Sequence, residues 1–134
     1  MSEVFLDTSY LIALLASDDQ HHARAKTLAS SGVAAAVTTE YVLIELCDGF
    51  APAHLRLVAD RAVRAILSNP AITVVPGGSD LVNRGLSLYS SRPDKEWGLT
   101  DCISFVVMKE RGISDAFTAD RHFEQAGFRA AMRV

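Results

Sequence analysis

The chain has little cysteine, two residues in 134, Cys47 and Cys102. This excludes a disulfide-built scaffold, and both cysteines fall in predicted helices among apolar neighbours, as reduced, packed thiols of an intracellular protein do. A basic excess is also missing. The net charge is -3, which argues against a protein that coats duplex phosphates with lysine. No apolar run reaches membrane-spanning length: the stretch MSEVFLDTSYLIALLAS is interrupted by Asp7, Thr8 and Ser9 and lacks a positive leading region. It fits neither a signal peptide nor a spanning helix, which predicts a cytoplasmic protein with no membrane partner. Repeats, linkers and low-complexity segments are absent, so residues 1–134 are expected to form a single domain. A hydrophobic content of 49% suffices for one substantial core.

What is present alternates between strand and helix patterns. Val4-Phe5-Leu6 predicts a buried strand, followed by a helix over Tyr10–Ala16 capped by Thr8 or Ser9. A second helix is expected to stop near Ser31-Gly32, and Ala34–Thr38 is the next strand. The run from Thr39 to Phe50 reads as a helix opened by Thr38 or Thr39, and Pro52 fits the first turn of another that reaches about Ser68. Ile72–Val75 is a strand, and Ser79 or Asp80 caps a helix through about Ser90. Ser91–Gly98 is the one clearly polar loop of the second half, and Thr100–Arg111 is a helix apolar nearly all round, expected at the domain centre. Ala116–Thr118, a short helix to Ala126 and a last strand over Phe128–Val134 complete the pattern. The alternation predicts a three-layer α/β/α sandwich around a mainly parallel five-stranded sheet.

Four acids stand where apolar segments begin, end or are interrupted: Asp7, Glu45, Asp101 and Asp120. Burying an ionised carboxylate costs several kcal/mol unless it is paired, hydrogen-bonded or bound to metal, and few basic residues flank these four. Two carboxylates about 4 Å apart repel by roughly 4 kcal/mol at an effective dielectric near 20. A shared divalent cation is therefore the leading reading, and hard oxygen donors without histidine or thiolate favour Mg²⁺ or Mn²⁺, one ion or two. Asp7 and Asp120 each follow a strand, so both should emerge at the sheet edge where such folds bind ligands. Each acid also has a plainer use. Asp7 and Asp120 can cap the helices that follow, Glu45 can be salt-bridged on its helix, and Asp101 can sit in a first turn favoured by the helix dipole. Ser9, Thr100 and Ser104 are close enough in sequence to support the acids through hydrogen bonds, and equally close to act as ordinary caps or core hydroxyls.

Phe5-Leu6-Asp7-Thr8-Ser9, Ile44-Glu45-Leu46, Leu99 through Phe105 and Thr118-Ala119-Asp120-Arg121-His122-Phe123, in that order, resemble the motifs of PIN-domain ribonucleases, particularly VapC-like toxins of toxin-antitoxin pairs. The resemblance implies an α/β/α sandwich, Mg²⁺- or Mn²⁺-dependent cleavage of single-stranded RNA, dimerisation, and inhibition by a small antitoxin. It makes Asp7, Glu45, Asp101 and Asp120 the catalytic, metal-binding quartet, with Ser9 and Thr100 as neighbouring hydroxyls. The middle of the chain, about Ala51–Trp97, matches only in helical pattern, so substrate and partner preference do not carry over.

Arg92, Lys95, Arg121 and Arg84 are candidate phosphate contacts, and Trp97 a candidate face for an unpaired base; Trp97 as a core anchor is the preferred alternative. His21, His22 and His54 read as surface residues, and His122 as a helix-packing or exposed residue able to reach a phosphate. An apolar surplus on the helices between Thr39 and Ser68 is a candidate groove for an antitoxin helix.

Two other classes compete. An aspartyl-phosphate, receiver-like Mg²⁺-binding domain would need a second acid beside Asp7 and a late lysine, but Ser9 stands at the former place and no lysine follows Glu110. A non-catalytic PIN-fold RNA- or protein-binding module would be expected to have lost an acid, and all four are present.

Overall fold

The computed structural model describes residues 3–33 and 35–133. Ala34 and Val134, predicted at the ends of two strands, lie outside the described residues, as do Met1 and Ser2. The elements in chain order are β1 (Val4–Leu6), α1 (Thr8–Leu15), α2 (His22–Ala29), β2 (Ala36–Thr39), α3 (Glu40–Gly49), α4 (Arg56–Ser68), β3 (Ile72–Val75), α5 (Ser79–Ser91), α6 (Leu99–Glu110), β4 (Asp115–Phe117), α7 (Arg121–Gln125) and β5 (Arg129–Ala130). The five strands form one sheet in the order β3-β2-β1-β4-β5 with every pairing parallel, as the alternation predicts.

Strand order decides where a site can form. From β1 the chain steps outward to β2 and then β3, crosses back to β4 on the other side of β1, and finishes at β5. Right-handed crossovers running in opposite directions put their helices on opposite faces, so α1–α4 cover one face and α5–α7 the other. The direction reverses between β1 and β4, which pair through Phe5↔Ala116 and Leu6↔Phe117. The loops leaving these two strands diverge there and open a crevice at the carboxyl edge of the sheet.

The core explains why the elements form. Val4, Phe5 and Leu6 are all buried, as a strand covered on both faces requires. On the α5–α7 face Phe105 meets Trp97, Phe123 and Phe128 at centroid distances of 5.1, 4.9 and 5.7 Å. Helix α6 is buried through Cys102–Phe105 and again at Val107 and Met108, matching its all-round apolar sequence. Gly112, at φ +68°, stops it in a conformation that costs glycine little.

Several boundaries differ from the sequence expectation, each for a local reason. Asp7 caps α1, not Thr8 or Ser9: its side chain accepts the Ser9 N–H. Pro52 opens a separate turn, closed by Leu55 N–H donating to the Pro52 carbonyl at 2.9 Å, and α4 starts only at Arg56. Neither Ser79 nor Asp80 caps α5. Gly78 holds that position, and the Asp80 carboxylate is committed to Arg84 one turn on, at 3.0 Å. The last strand is only two residues long, because Arg133 N–H turns back to the Ala130 carbonyl at 3.0 Å. Both cysteines are free, but only Cys102 is packed inside; Cys47 is exposed on α3. Among the described residues no helix is long and apolar enough to cross a membrane.

Candidate active site

At the carboxyl edge of β1, Asp7 is 4% exposed and its ionisation is governed by that burial. Ser9 Oγ donates to Asp7 Oδ2 at 2.9 Å and Thr118 Oγ1 donates to the same oxygen at 2.7 Å. Each hydroxyl has one proton and spends it on Asp7, so each accepts from backbone instead: Ser9 Oγ from Ala119 N–H and Thr118 Oγ1 from Asp120 N–H, both at 3.0 Å. This mesh ties the end of β1 to the end of β4. Desolvation nevertheless dominates, and the Asp7 carboxyl is pushed up to about 6, with nearby Asp101 adding to the rise.

Asp120 caps α7 by accepting the His122 N–H at 2.8 Å. The cap points the His122 ring back across the cleft, with Nδ1 3.2 Å from Asp101 Oδ2 and 3.4 Å from Asp120 Oδ1. Asp101 sits in the first turn of α6, and its Oδ2 also accepts the Gly98 N–H at 3.3 Å. Burial raises the Asp101 carboxyl above its ordinary range, the His122 hydrogen bond opposing it. One ligand atom from each of Asp101, Asp120 and His122 lies within 4.8 Å of the others. His122 thus stands beside the carboxylates that the sequence singles out. The signal for His122 was its place two residues after Asp120, where a capping turn brings the side chain back over the cap.

These groups line one cleft of about 710 Å³ together with Thr8, Ser9, Glu45, Asp48 and Glu96. Six carboxylates and no lysine or arginine line it among the described residues. Asp7, Glu45, Asp101 and Asp120 are thus brought together, but not equally buried. Glu45 is exposed beside exposed Ile44, so its apolar sequence neighbours do not surround it in space: Val42, Leu43 and Leu46 point into the core. Asp48, one helical turn after Glu45, and Glu96 were missed; both are exposed and carry no apolar context that would single them out. Thr118 was missed because a buried threonine ending a strand reads as packing.

The supporting hydroxyls divide. Ser9 joins the cleft, whereas fully buried Ser104 donates to the Thr100 carbonyl at 3.0 Å and so has the core role. Thr100 is half-buried and is not among the residues lining the cleft. Thr8 Oγ1, beside Asp7, is a buried oxygen with no hydrogen-bond partner among the described residues.

Trp97 is buried, and its indole N–H donates to Gln125 Oε1 at 3.0 Å. It is the core anchor, not an open base platform. Arg92 lies over the same ring at 5.1 Å and holds Asp94 through two 3.0 Å hydrogen bonds. Lys95 Nζ is 4.0 Å from Asp94. Arg84 is bound to Asp80 and Glu110, and Arg121 is exposed at the start of α7. The other histidines are apart from the cleft, His22 Nδ1 meeting the Ala13 carbonyl at 2.7 Å.

Comparison with known proteins agrees with this fold. The profile of the PIN domain matches residues 4–129. The 23S rRNA-specific endonuclease VapC20 of Mycobacterium tuberculosis is 30% identical over 127 residues, 93% of this chain and 95% of that protein, in both the CDC 1551 / Oshkosh and H37Rv strains. The crystal structure of that species' VapC20, described as a sarcin-ricin loop cleaving toxin, superposes with a TM-score of 0.86 at 28% identity, covering 95% of this chain and 96% of that one. FitAcB from Neisseria gonorrhoeae shares the fold, with a TM-score of 0.72 at 14% identity over 98% of this chain and 99% of that one.

Proposed function

The chain belongs to the PIN-domain family, and from that membership we propose that it is a Mg²⁺- or Mn²⁺-dependent endoribonuclease, the toxin of a toxin-antitoxin pair. One observation carries the reading: Asp7, Asp101, Asp120 and His122 converge on a cleft that no lysine or arginine lines among the described residues.

The donor set fits a divalent cation. Asp101, Asp120 and His122 offer ligand atoms within reach of one ion; among the described residues the buried Asp7 carboxylate has no cationic partner and the Thr8 hydroxyl beside it no hydrogen-bond partner, so that hydroxyl can serve a bound water. Asp7, Asp101, Asp120 and Glu45 would hold the metal directly or through water, with Ser9 and Thr118 fixing Asp7 and His122 fixing Asp101. A divalent cation supplies charge neutralisation at a phosphodiester and lowers the pKa of water near it. The chain's own part is to present Asp7 ionised, aim the acids from two strand ends and two helices into one space, and keep His122 between Asp101 and Asp120. No side-chain nucleophile is required.

The likeness to VapC20 makes an unpaired loop of large-subunit ribosomal RNA the first substrate to test. For the antitoxin, a cleft of about 410 Å³ between α3 and α4 joins apolar Phe50, Ala59, Val63 and Leu67 to charged Arg56, Asp60 and Arg64, and with exposed Ile44, Leu57 and Val58 on the same helices it suits an amphipathic helix. A homodimer and a cytoplasmic location complete the proposal. Purified protein is incubated with single-stranded RNA and with a ribosomal loop oligonucleotide, in Mn²⁺ or EDTA, beside Asp101→Asn. Cleavage that needs Mn²⁺ and the Asp101 carboxylate is expected; equal cleavage by parent and variant would overturn the mechanism.

A further inference from the structure

Beside the acidic cleft lies a second one of about 450 Å³, and the two share Glu96 and Gly98 as their common wall. Its volume falls in the ~300–1,000 Å³ range of small-molecule sites. Trp97 also lines it, and that indole is immobilised by its bond to Gln125 and its edge contact with Phe105. Tyr89, at the end of α5, stands on the rim 50% exposed, with Leu86 exposed one turn earlier. Arg92 and Lys95 face the same space but are both drawn toward Asp94, so Arg92, Asp94, Lys95 and Glu96 sum to no net charge.

Resting on the ribonuclease reading above, we propose that this cleft seats an unstacked nucleobase of the RNA, with Tyr89 as its stacking platform, and that it thereby chooses which phosphodiester enters the acidic site. Three observations combine. An exposed phenol ring offers a π face that the buried, Arg92-covered Trp97 ring cannot. The balanced local charge suits a neutral base better than a phosphate. The shared Gly98 wall, whose N–H donates to Asp101, puts the cleft directly beside the acids. Gly98 leaves the passage open, since a Cβ there would have only Asp101 Oδ2 near it, at 4.0 Å. Tyr89 is a specificity-determining contact here and takes no part in bond cleavage.

The test measures binding in EDTA, by fluorescence anisotropy of a labelled single-stranded RNA, and cleavage in Mn²⁺, for parent, Tyr89→Ala and Tyr89→Phe. A set of RNAs with one abasic nucleotide moved along the strand locates the contacted base. Tyr89→Ala is expected to weaken binding roughly 5- to 150-fold, the equivalent of ~1–3 kcal/mol of base stacking. Tyr89→Phe should bind as the parent does. One abasic position near the cleaved bond should impair the parent and leave Tyr89→Ala unaffected. Unchanged affinity and cleavage pattern in Tyr89→Ala overturn the inference alone. So does a change confined to self-association, which would make the Leu86–Tyr89 face a protein contact. A parent that neither binds nor cuts any RNA overturns both this inference and the ribonuclease reading.

Discussion

Thr118 Oγ1 stands 2.7 Å from Asp7 Oδ2, joining two residues 111 positions apart. The bond ties the residue after β4 to the acid that follows β1, and it opposes the burial that raises the Asp7 carboxyl. Thr118→Val removes that donor and the acceptor for Asp120 N–H, and should destabilise the fold by about 1–3 kcal/mol. The loss is expected to be larger at pH 8 than at pH 5, because the ionised carboxylate is the form that needs the donor. Urea unfolding at the two pH values reads the difference; an equal loss at both would show that Thr118 acts only through packing.

The raised Asp7 pKa has a stability signature. Between the ordinary value of 3.8 and about 6 the unfolded chain has released this proton and the folded chain keeps it. The folded state binds more protons there, so this group's contribution falls as pH rises through the window, by up to about 3 kcal/mol. Without divalent cation, Asp7→Asn should therefore be more stable than the parent at pH 7.5 and no more stable at pH 4. The amide oxygen still accepts from Ser9 and Thr118. Urea titrations in EDTA check this, and a variant weaker than the parent at pH 7.5 would contradict it.

Cation binding should reverse that cost. Mn²⁺ at about 100 times its Kd stabilises by ~2.7 kcal/mol, so the thermal midpoint is expected to rise on adding Mn²⁺ at pH 7.5. The rise should shrink at pH 5, where Asp7 is mostly protonated, and disappear in Asp101→Asn. His122→Ala should weaken Mn²⁺ by about 10- to 100-fold through loss of its hold on Asp101. Differential scanning calorimetry across a Mn²⁺ series measures each effect; a His122→Ala protein with parental Mn²⁺ affinity would remove His122 from the site.

Gly85 lets α5 pack closely on α6. A Cβ at this position would overlap Ile103 Cγ1 and lie 3.4 Å from the Ile103 backbone. Gly85→Ala gains up to about 1 kcal/mol of helix propensity, yet overpacking costs typically ~1–3 kcal/mol, so net destabilisation is expected. Ile103→Ala should relieve the overlap, making the double variant less damaged than the sum of the singles. Strict additivity in urea unfolding would show that the helices move apart freely.

The fold was legible because its elements have clear patterns: Val4–Leu6 as a buried strand and Thr100–Arg111 as a buried helix are read from their apolar runs, and the observed helix is shifted by one residue to Leu99–Glu110. The ends were less legible. Asp80 resembled a cap until its Arg84 partner was visible, and Pro52 resembled a helix start because either a turn or a helix accepts its fixed φ. At the site, Asp7 and Asp120 each had two sequence readings, cap and cleft acid, and the structure gives them both positions at once. Glu45 lies in an apolar sequence yet is exposed, since sequence neighbours on a helix face in different directions. Asp48 and Thr118 were hidden for the same reason: their relevance lies in what faces them, and the facing groups belong to other elements.

The bond between Thr118 and Asp7 can close only after the segment that follows β4 exists. Asp7 is made before Thr118, and its two hydroxyl partners lie on opposite sides of more than a hundred intervening residues. Such distant closure is slow relative to local helix formation. A nascent chain that stops before Thr118 holds the first acid without its second donor and without Asp120 and His122, so the set of cleft residues is complete only once the segment after β4 has docked.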